Sequence, residues 1–439
     1  MSQANWYYRL LSAIYISTFI IRASFGALMI TFPLYLNIDN PALLGTIMAL
    51  PSVAELITVM IVGVLIDKYG RKNMLLGGLL LATLAIFMIA TTTNIYLLAL
   101  INILHGISAG TILVSSLALL ADYVPQNSRG KEMGAFDFAN LFGWLVGFGV
   151  GGILVDVFIN ELWLRFVIDG ILALICLIYA YFALDEPDKE SHIADEINFQ
   201  HIKSVLTQKS ILLLMIPWLI IYLFIGAILT FASVAGVKGM NIPATYVGLA
   251  LGGAGVIFLS TQIFFGKMSD KYGRAPIMFL GVIGVLGLAS TIGVVSVLAP
   301  PPGSIGLNYL IQIAPAIPLV LIFALMCSAF APSALASLAD EAHEKRRGIT
   351  MGVYSMVISA GMSIGPPAFG FISLYGGTPG IIAFIFCTSM IMFVAVVLKH
   401  MLGKAESGEK PRLGDLFIWA RFRRTSEKVE GDNPDVIDK

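Results

Sequence analysis

Four ionisable residues, each inside a long apolar stretch, are the residues best placed to do chemistry. They are Arg22, Glu55, His105 and Asp137. A charge surrounded by apolar side chains is costly and is usually kept for binding a ligand or for moving a proton. A carboxylate beside an arginine can bind and release a proton when its surroundings change. Two interpretations of Arg22 stay open: a permanent salt bridge to Glu55 or Asp137, or a pair that separates when a substrate or a proton binds.

His105 also has two interpretations, because a histidine can titrate near neutral pH or stay neutral as a buried hydrogen-bonding residue. Arg165 and Asp169 are four residues apart, so we expect them to pair with each other as a structural contact. The cysteines show no CxxC spacing, and the chain contains no Walker loop. We therefore expect no cofactor, no metal site and no use of ATP.

The composition of the chain is that of a membrane protein. Of its 439 residues, 58% are hydrophobic and 12% are charged, whereas soluble domains have about 25% charged residues. The 27 basic residues are balanced by 27 acidic ones, which excludes a basic face for nucleic acid. A bilayer core needs roughly 20 apolar residues per helix, and twelve such runs are present. We expect an all-α polytopic membrane protein with twelve transmembrane helices.

The positions of the basic residues predict the orientation, because Lys and Arg beside short loops remain in the cytoplasm. Outside the apolar runs, Lys238 is the one basic residue on the side opposite the N-terminus. Both termini are therefore expected in the cytoplasm. The first apolar run is too long for a signal peptide and is expected to be a retained helix. We expect a monomeric, multi-pass protein of the plasma membrane.

An internal repeat divides the chain into two halves. GVLIDKYGRK (Gly63 to Lys72) recurs 203 residues later as GKMSDKYGRA, and LADYVPQNSRGKEMG (Leu120 to Gly134) recurs 218 residues later as LADEAHEKRRGITMG. Two pseudo-symmetric six-helix bundles explain both matches. The expected boundaries are a bundle at 1–184, a cytoplasmic linker at 185–210, a bundle at 211–402 and a cytoplasmic tail at 403–439. The tail is either disordered or forms a short helix on the inner leaflet.

The loop between the second and third helices resembles a signature of the major facilitator superfamily of secondary transporters. That signature, G-x-L-x-D-[RK]-x-G-[RK]-[RK], is matched at Gly63, Leu65, Asp67, Lys68, Gly70, Arg71 and Lys72. A partial copy between the eighth and ninth helices keeps Gly266, Asp270, Lys271, Gly273 and Arg274. The resemblance covers Arg9 to Lys399 and implies a transporter that exposes a central site to each side of the membrane in turn.

The resemblance further implies a conformational latch at this loop. Asp67 would meet the start of helix eleven, and Arg71 would hold an acid at the end of helix four, which here is Asp122. The mirrored latch of the second half would use Asp270, Arg274 and Asp340. Charge considerations agree, because a carboxylate is favourable at a helix N-terminus and an arginine pairs well with a carboxylate. The alternative is a solvated basic loop that only fixes the topology.

Glycines on the fifth helix form a stripe of small residues, which favours close packing on a neighbouring helix. The stripe contains Gly143, Gly147 and Gly151, and the second half repeats it with Gly361, Gly365 and Pro366. This stretch resembles the antiporter signature G-x-x-x-G-P-x-x-G-G of exporters in the superfamily. Phe148 replaces its proline, and Asn102 replaces the arginine that proton-exchanging exporters usually have in helix four.

The pattern as a whole is most similar to the twelve-helix drug:proton antiporters. We predict a secondary transporter, not an enzyme, that exports a small organic solute in exchange for protons. Glu55 or Asp137 would carry the proton, and Glu55 is favoured because it lies deeper. Two alternatives are uptake of a small organic anion held by Arg22, proton-coupled or facilitated, and a membrane sensor or scaffold that does not transport.

Overall fold

The fold is known from a computed structural model, which describes residues 3–125, 128–184, 208–297, 315–341, 347–406 and Leu416. Within these ranges all regular secondary structure is helical. Most of the expected linker and nearly all of the expected tail lie outside the described residues.

Six helices form the described first half: α1 (Gln3–Leu36), α2 (Pro41–Tyr69), α3 (Arg71–Ala90), α4 (Ile95–Tyr123), α5 (Arg129–Val157) and α6 (Leu162–Ala183). An asparagine precedes each of two of these helices, α2 and α4, and caps its first turn. The side chain of Asn40 accepts two backbone N–H groups of α2, and the side chain of Asn94 does the same for α4. These side chains replace the hydrogen bonds that the first turn of a helix cannot make internally.

The second half has the same number of spans, with more irregularities. Helix α7 (Lys209–Ser233) continues into a π-helical turn (Val234–Gly239), and it is followed by α8 (Ala244–Tyr272) and α9 (Arg274–Val297). Helix α10 consists of two pieces, Ala316–Cys327 and Phe330–Glu341. The last helical run, Arg347–Glu406, is broken at Gly377, which has φ 55° and ψ −155°. We call its part before Gly377 α11 and its part after Gly377 α12.

The described helices are long and apolar enough for a polytopic membrane protein. Eleven segments meet the length and hydropathy of a membrane span. The last of them, Met356–Ala405, has 50 residues, about twice what one crossing needs, and it contains the break at Gly377. The predicted all-α membrane fold is confirmed, and dividing this segment at Gly377 gives the expected twelve spans.

The chain divides into two compact units. The first unit comprises Met1–Ile197, Tyr222–Gly255 and Ile358–Tyr375, and the second comprises Asn198–Ile221, Val256–Val357 and Gly376–Lys439. The first unit therefore contains the first half together with parts of α7, α8 and α11. The bundle boundaries expected from the sequence remain a prediction.

Close packing of α1 on α5 organises the first unit. A Cβ atom added to Gly147 would lie 2.1 Å from the carbonyl oxygen of Ala23, so no other residue fits there without moving the backbone. Gly143 and Gly151 approach α1 in the same way, at Phe19 and Ala27. This contact places Arg22, on α1, next to α2 and α4.

Candidate functional site

The central charged pair of the first unit is Arg22 with Glu55. The Nη2 atom of Arg22 lies 3.6 Å from Oε1 of Glu55, and the two side chains are 11% and 19% exposed. Helix α1 supplies the arginine and helix α2 the carboxylate. Arg22 also lines a small cavity with Thr18, Phe136 and several aliphatic side chains of α1 and α4. The pair is thus partly buried and remains reachable by a small polar group or by water.

His105 lies beside this pair, on α4. Its ring stacks on Phe25 with 4.0 Å between the centroids, and the guanidinium carbon of Arg22 lies 5.7 Å from the centroid of the same Phe25 ring. His105 is 2% exposed, and its Nε2 atom has no hydrogen-bond partner among the described residues. His105 is therefore packed into the contact of α1 with α4, on the same phenylalanine ring that Arg22 approaches.

Asp137 does not join this cluster. Its side chain is exposed, as are Phe138 and Leu141 on the same side of α5. The packed side of α5 is the glycine stripe, and a side chain at position 137 points away from it. Arg22 pairs with Glu55 and not with Asp137, so the four candidates of the sequence separate into a cluster of three and one exposed acid.

A second ion pair lies fully inside the first unit. Nη2 of Arg165 is 2.7 Å from Oδ2 of Asp169, and the two side chains are 0% and 5% exposed. The hydroxyl of Ser24 donates to the same carboxylate oxygen at 3.3 Å. The other two guanidinium nitrogens of Arg165, Nε and Nη1, lack a hydrogen-bond partner among the described residues. The carboxylate of Asp169 is therefore the main compensation for the buried cation.

The first latch loop has the expected pairing of Arg71. Gly70 adopts φ 85°, which allows α2 to end immediately before it and α3 to begin immediately after it. Nε of Arg71 lies 2.6 Å from Oδ2 of Asp122, at the end of α4. The side chain of Asp67 lies outside the described part of the structure. A Cβ atom added to Gly63 would meet nothing within 4 Å, so packing does not require a glycine there.

The second latch loop mirrors the first. Gly273 adopts φ 94°, and Nε of Arg274 lies 3.0 Å from Oδ2 of Asp340, near the end of α10. Nη1 of Arg274 also donates to Asp270 and, at 3.0 Å, to the hydroxyl of Ser269. The three latch residues expected in the second half therefore form one hydrogen-bonded group at the surface of the second unit.

The glycines expected to pack helices lie at close helix contacts. Gly365 mirrors Gly147: a Cβ atom added there would lie 2.0 Å from the carbonyl oxygen of Leu223 on α7. Gly361 and Pro366 are also buried. The carbonyl oxygen of Pro366 lies 2.2 Å from where a Cβ atom of Gly45 would be. Pro366 therefore belongs to a contact between α11 and α2.

Sequence reasoning did not single out Asp156, a carboxylate at the end of α5. It accepts three hydrogen bonds from Ala244 and Thr245 at the start of α8. The signal that could have revealed it is a difference between the repeats: Asn40, before α2, corresponds to Pro243, before α8.

The chain was compared with protein families and with solved structures. A sequence model of the Major Facilitator Superfamily matches residues 14–320 and 303–426. The quinolone resistance protein NorA of Staphylococcus aureus is 25% identical over 263 residues, which are 59% of this chain and 66%, just under two thirds, of that protein. A homologue of the multi-drug resistance efflux pump PmrA from Lactococcus lactis is 26% identical over 295 residues, covering 64% of this chain and 70% of its own length.

Among solved structures, the chain is similar to a bacterial homologue of the human lysosomal transporter Spinster in an inward-facing conformation. The TM-score is 0.72 at 12% identity, and the match covers 94% of this chain and all of the other. At this identity the likeness concerns the fold.

Proposed function

We propose that this chain, which belongs to the Major Facilitator Superfamily, exports a small organic solute from the cell in exchange for protons. The protein is a multi-pass membrane protein of the secondary transporter class. The direction, the solute and the coupling ion are the proposed part. Two named relatives support export, because one is a quinolone resistance protein and the other a multi-drug efflux pump.

The observation that carries proton exchange is the partly buried pair of Arg22 and Glu55. Among the described residues of the second half, carboxylates occur only near helix ends, at Asp270, Asp340, Glu341 and Glu406. A proton carried through the middle of the membrane therefore needs a group in the first half. Among the described carboxylates of the first half that lie away from helix ends, Asp169 already compensates Arg165 and Asp137 is exposed, which leaves Glu55.

The chemistry of Glu55 follows from its two neighbours, the apolar surround and Arg22. The carboxylate of Glu55 has the guanidinium of Arg22 at 3.6 Å as its partner, and a charge without a partner is costly among apolar side chains. A small movement of α1 against α2 changes the balance between these effects. Protonation of Glu55 would release Arg22, and deprotonation would restore the pair, so proton binding and helix position are coupled in both directions.

A second candidate function uses Arg22 itself as the binding group. Arg22 lines the small cavity that also contains Thr18 and Phe136, and a guanidinium can hold a carboxylate through two parallel hydrogen bonds. This arrangement suits a small organic anion. Uptake of such an anion would then be driven by the proton that Glu55 binds, or by the anion gradient alone.

The test is transport by the purified protein in sealed vesicles. We expect a pH gradient to drive accumulation of an amphipathic probe such as ethidium, and Glu55→Gln to abolish it. Exchange of labelled for unlabelled ethidium at equal pH should persist in that variant, because it requires no net proton movement. The matched control is Asp137→Asn, an exposed acid in the same half, which should keep pH-driven transport.

Two outcomes would change the proposal. Survival of pH-driven flux in Glu55→Gln would remove Glu55 as the proton carrier, and survival in the Glu55→Gln/Asp137→Asn double variant would show that protons are not exchanged through either acid. Transport of an anionic probe such as fluorescein, lost in Arg22→Gln, would favour the second candidate function.

A further inference from the structure

The start of α8 is capped by a residue from the other half of the chain. The backbone N–H of Ala244 donates to Oδ1 of Asp156 at 2.9 Å. The backbone N–H and the hydroxyl of Thr245 donate to Oδ2 at 2.8 and 2.6 Å. A carboxylate at this place satisfies the first amides of the helix and interacts favourably with the helix dipole. All these residues belong to the first unit.

Helix α8 has no side-chain acceptor of its own at this position. Pro243 occupies the capping position, since its carbonyl accepts the backbone N–H groups of Tyr246 and Val247, and proline offers no side-chain oxygen. The repeat places Pro243 203 residues after Asn40. Asn40 caps α2 from within its own loop, accepting Ala42 N–H at 3.0 Å and Leu43 N–H at 3.1 Å.

The acid that caps α8 is likewise missing from the other repeat. The residue 218 positions after Asp156 is Leu374, on α11. Leu374 is 42% exposed and cannot accept a hydrogen bond. The two repeats therefore cap equivalent helices differently: α2 carries its own cap, and α8 depends on α5.

The capping contact lies in a set of close helix approaches that the repeat duplicates. Gly248 on α8 faces the carbonyl oxygen of Phe148 on α5, and Gly45 on α2 faces that of Pro366 on α11, each 2.2 Å from the position of an added Cβ atom. Gly152 faces Ala244, and Gly370 faces Pro41, at 2.4 and 2.2 Å. We call these four contacts the outer seam, because on the predicted orientation they lie on the outer side of the membrane.

We propose that Asp156 is a latch that holds the outer seam closed. A transporter that opens to the outside must separate α5 from α8, and this separation removes the cap of α8 while α2 keeps Asn40. Opening therefore leaves backbone amides of Ala244 and Thr245 without their acceptor, and closing restores it. Asp156 acts as a positioning residue of the transport cycle. The role of Asp156 in a transport cycle rests on the proposed function. The test below measures opening of the seam and does not require transport.

A second polar contact crosses the same region. Nζ of Lys238, in the π-helical turn after α7, donates to the side chain of Asn37, just after α1. The lysine is exposed and satisfies no helix terminus, so we expect its contribution to be smaller than that of Asp156. It provides a comparison within the same seam.

The test measures opening of the seam in the full-length protein, purified and placed in lipid nanodiscs. A cysteine is introduced by Ala42→Cys in a background in which the three native cysteines are alanine. Ala42 is 5% exposed and packs against Gly370, so a maleimide reaches it when the seam opens between α2 and α11, a contact that does not include Asp156. Labelling rates need no substrate and no knowledge of the orientation.

We expect Asp156→Ala to raise the labelling rate about tenfold. This corresponds to a loss of about 1.4 kcal/mol in the free energy that favours the closed seam. Asp156→Asn, which keeps an acceptor without the charge, should give a smaller increase. The matched control is Glu161→Ala, an exposed acid at the start of α6 whose side chain caps nothing. It should label at the parental rate.

Pro243→Asn separates a latch from a merely structural cap, because it gives α8 its own cap in both states. If Asp156 is a latch, Pro243→Asn alone raises the labelling rate, because opening no longer removes the cap. Adding Asp156→Ala to Pro243→Asn then has no further effect on that rate. For a structural cap, Pro243→Asn restores the Asp156→Ala variant to the parental rate, and this result would overturn the proposal. A parental labelling rate in Asp156→Ala would also overturn it. Increased labelling in a protein that moves no solute in vesicles would leave the latch standing and refute the transport function.

Discussion

Removal of the buried acid Asp169 should strongly destabilise the protein, because its partner Arg165 would remain as an uncompensated charge. The side chain of Arg165 is 0% exposed, and its ionic partner among the described residues is 2.7 Å away. Breaking such a buried pair by deleting one member costs about 3–5 kcal/mol. We expect Asp169→Ala to lower the free energy of unfolding by this amount.

The surface pair Arg274 with Asp270 provides the matched control. It consists of the same two residue types at the same four-residue spacing, but its side chains are 28% and 68% exposed. An exposed pair contributes about 0–1 kcal/mol, so Asp270→Ala should cost no more than that. The difference between the two deletions reflects burial together with the second acid, Asp340, that Arg274 keeps as a partner.

Unfolding in mixed micelles, followed by circular dichroism as sodium dodecyl sulfate is increased, measures both variants. The double substitution Arg165→Met/Asp169→Leu removes both charges and should recover most of the loss, since well-packed apolar pairs replace buried ion pairs at little cost. If Asp169→Ala costs no more than Asp270→Ala, Arg165 has another compensating partner and our account of this pair is wrong. If the double variant is stable but has lost pH-driven transport, the pair is functional.

Three further predictions follow from the geometry. Asp340→Asn should slow transport several-fold with less than about 1 kcal/mol change in stability, because an exposed pair adds little to folding; a matching loss in thermal stability would contradict this. Gly147→Val should prevent folding, since its Cβ would lie 2.1 Å from a backbone oxygen of α1, whereas Gly77→Ala meets nothing within 4 Å and should express normally. On intact cells, an impermeant maleimide should label Thr93→Cys but not Asn73→Cys, and the reverse pattern would invert the topology.

The sequence predicted the helical membrane fold because long apolar runs and repeats leave few alternatives. It also paired Arg71 with Asp122, and Arg274 with Asp340, through the superfamily signature, and the contacts are present in the structure. The sequence favoured Glu55 over Asp137 by depth alone, because hydropathy does not give the side of the helix on which a residue lies. The resemblance of α5 to a signature drew attention to its glycines and away from Asp156, four residues beyond the last of them.

The interaction of His105 with Phe25 was equally inaccessible to sequence reasoning. It requires α1 and α4 to meet at a particular rotation, which the contact of α1 with Gly147 on α5 helps to set. Phe148 illustrates the opposite case. It departs from the antiporter signature, yet its backbone makes the same contact with Gly248 that Pro366 makes with Gly45. The seam depends on the carbonyl group, which every residue has.

Within the described helices, the scarcity of carboxylates away from helix ends has a consequence for how the membrane voltage acts on this protein. If Glu55 is the one group that exchanges a proton, as proposed, each cycle brings a single proton into the cell. Export of a monovalent cation would then move no net charge, and the membrane potential would not contribute to its driving force. Export of a neutral solute would move one charge inward, worth about 2.3 kcal/mol per 100 mV. Currents recorded from vesicles on a solid support would therefore reveal the charge of the transported solute before its identity is known.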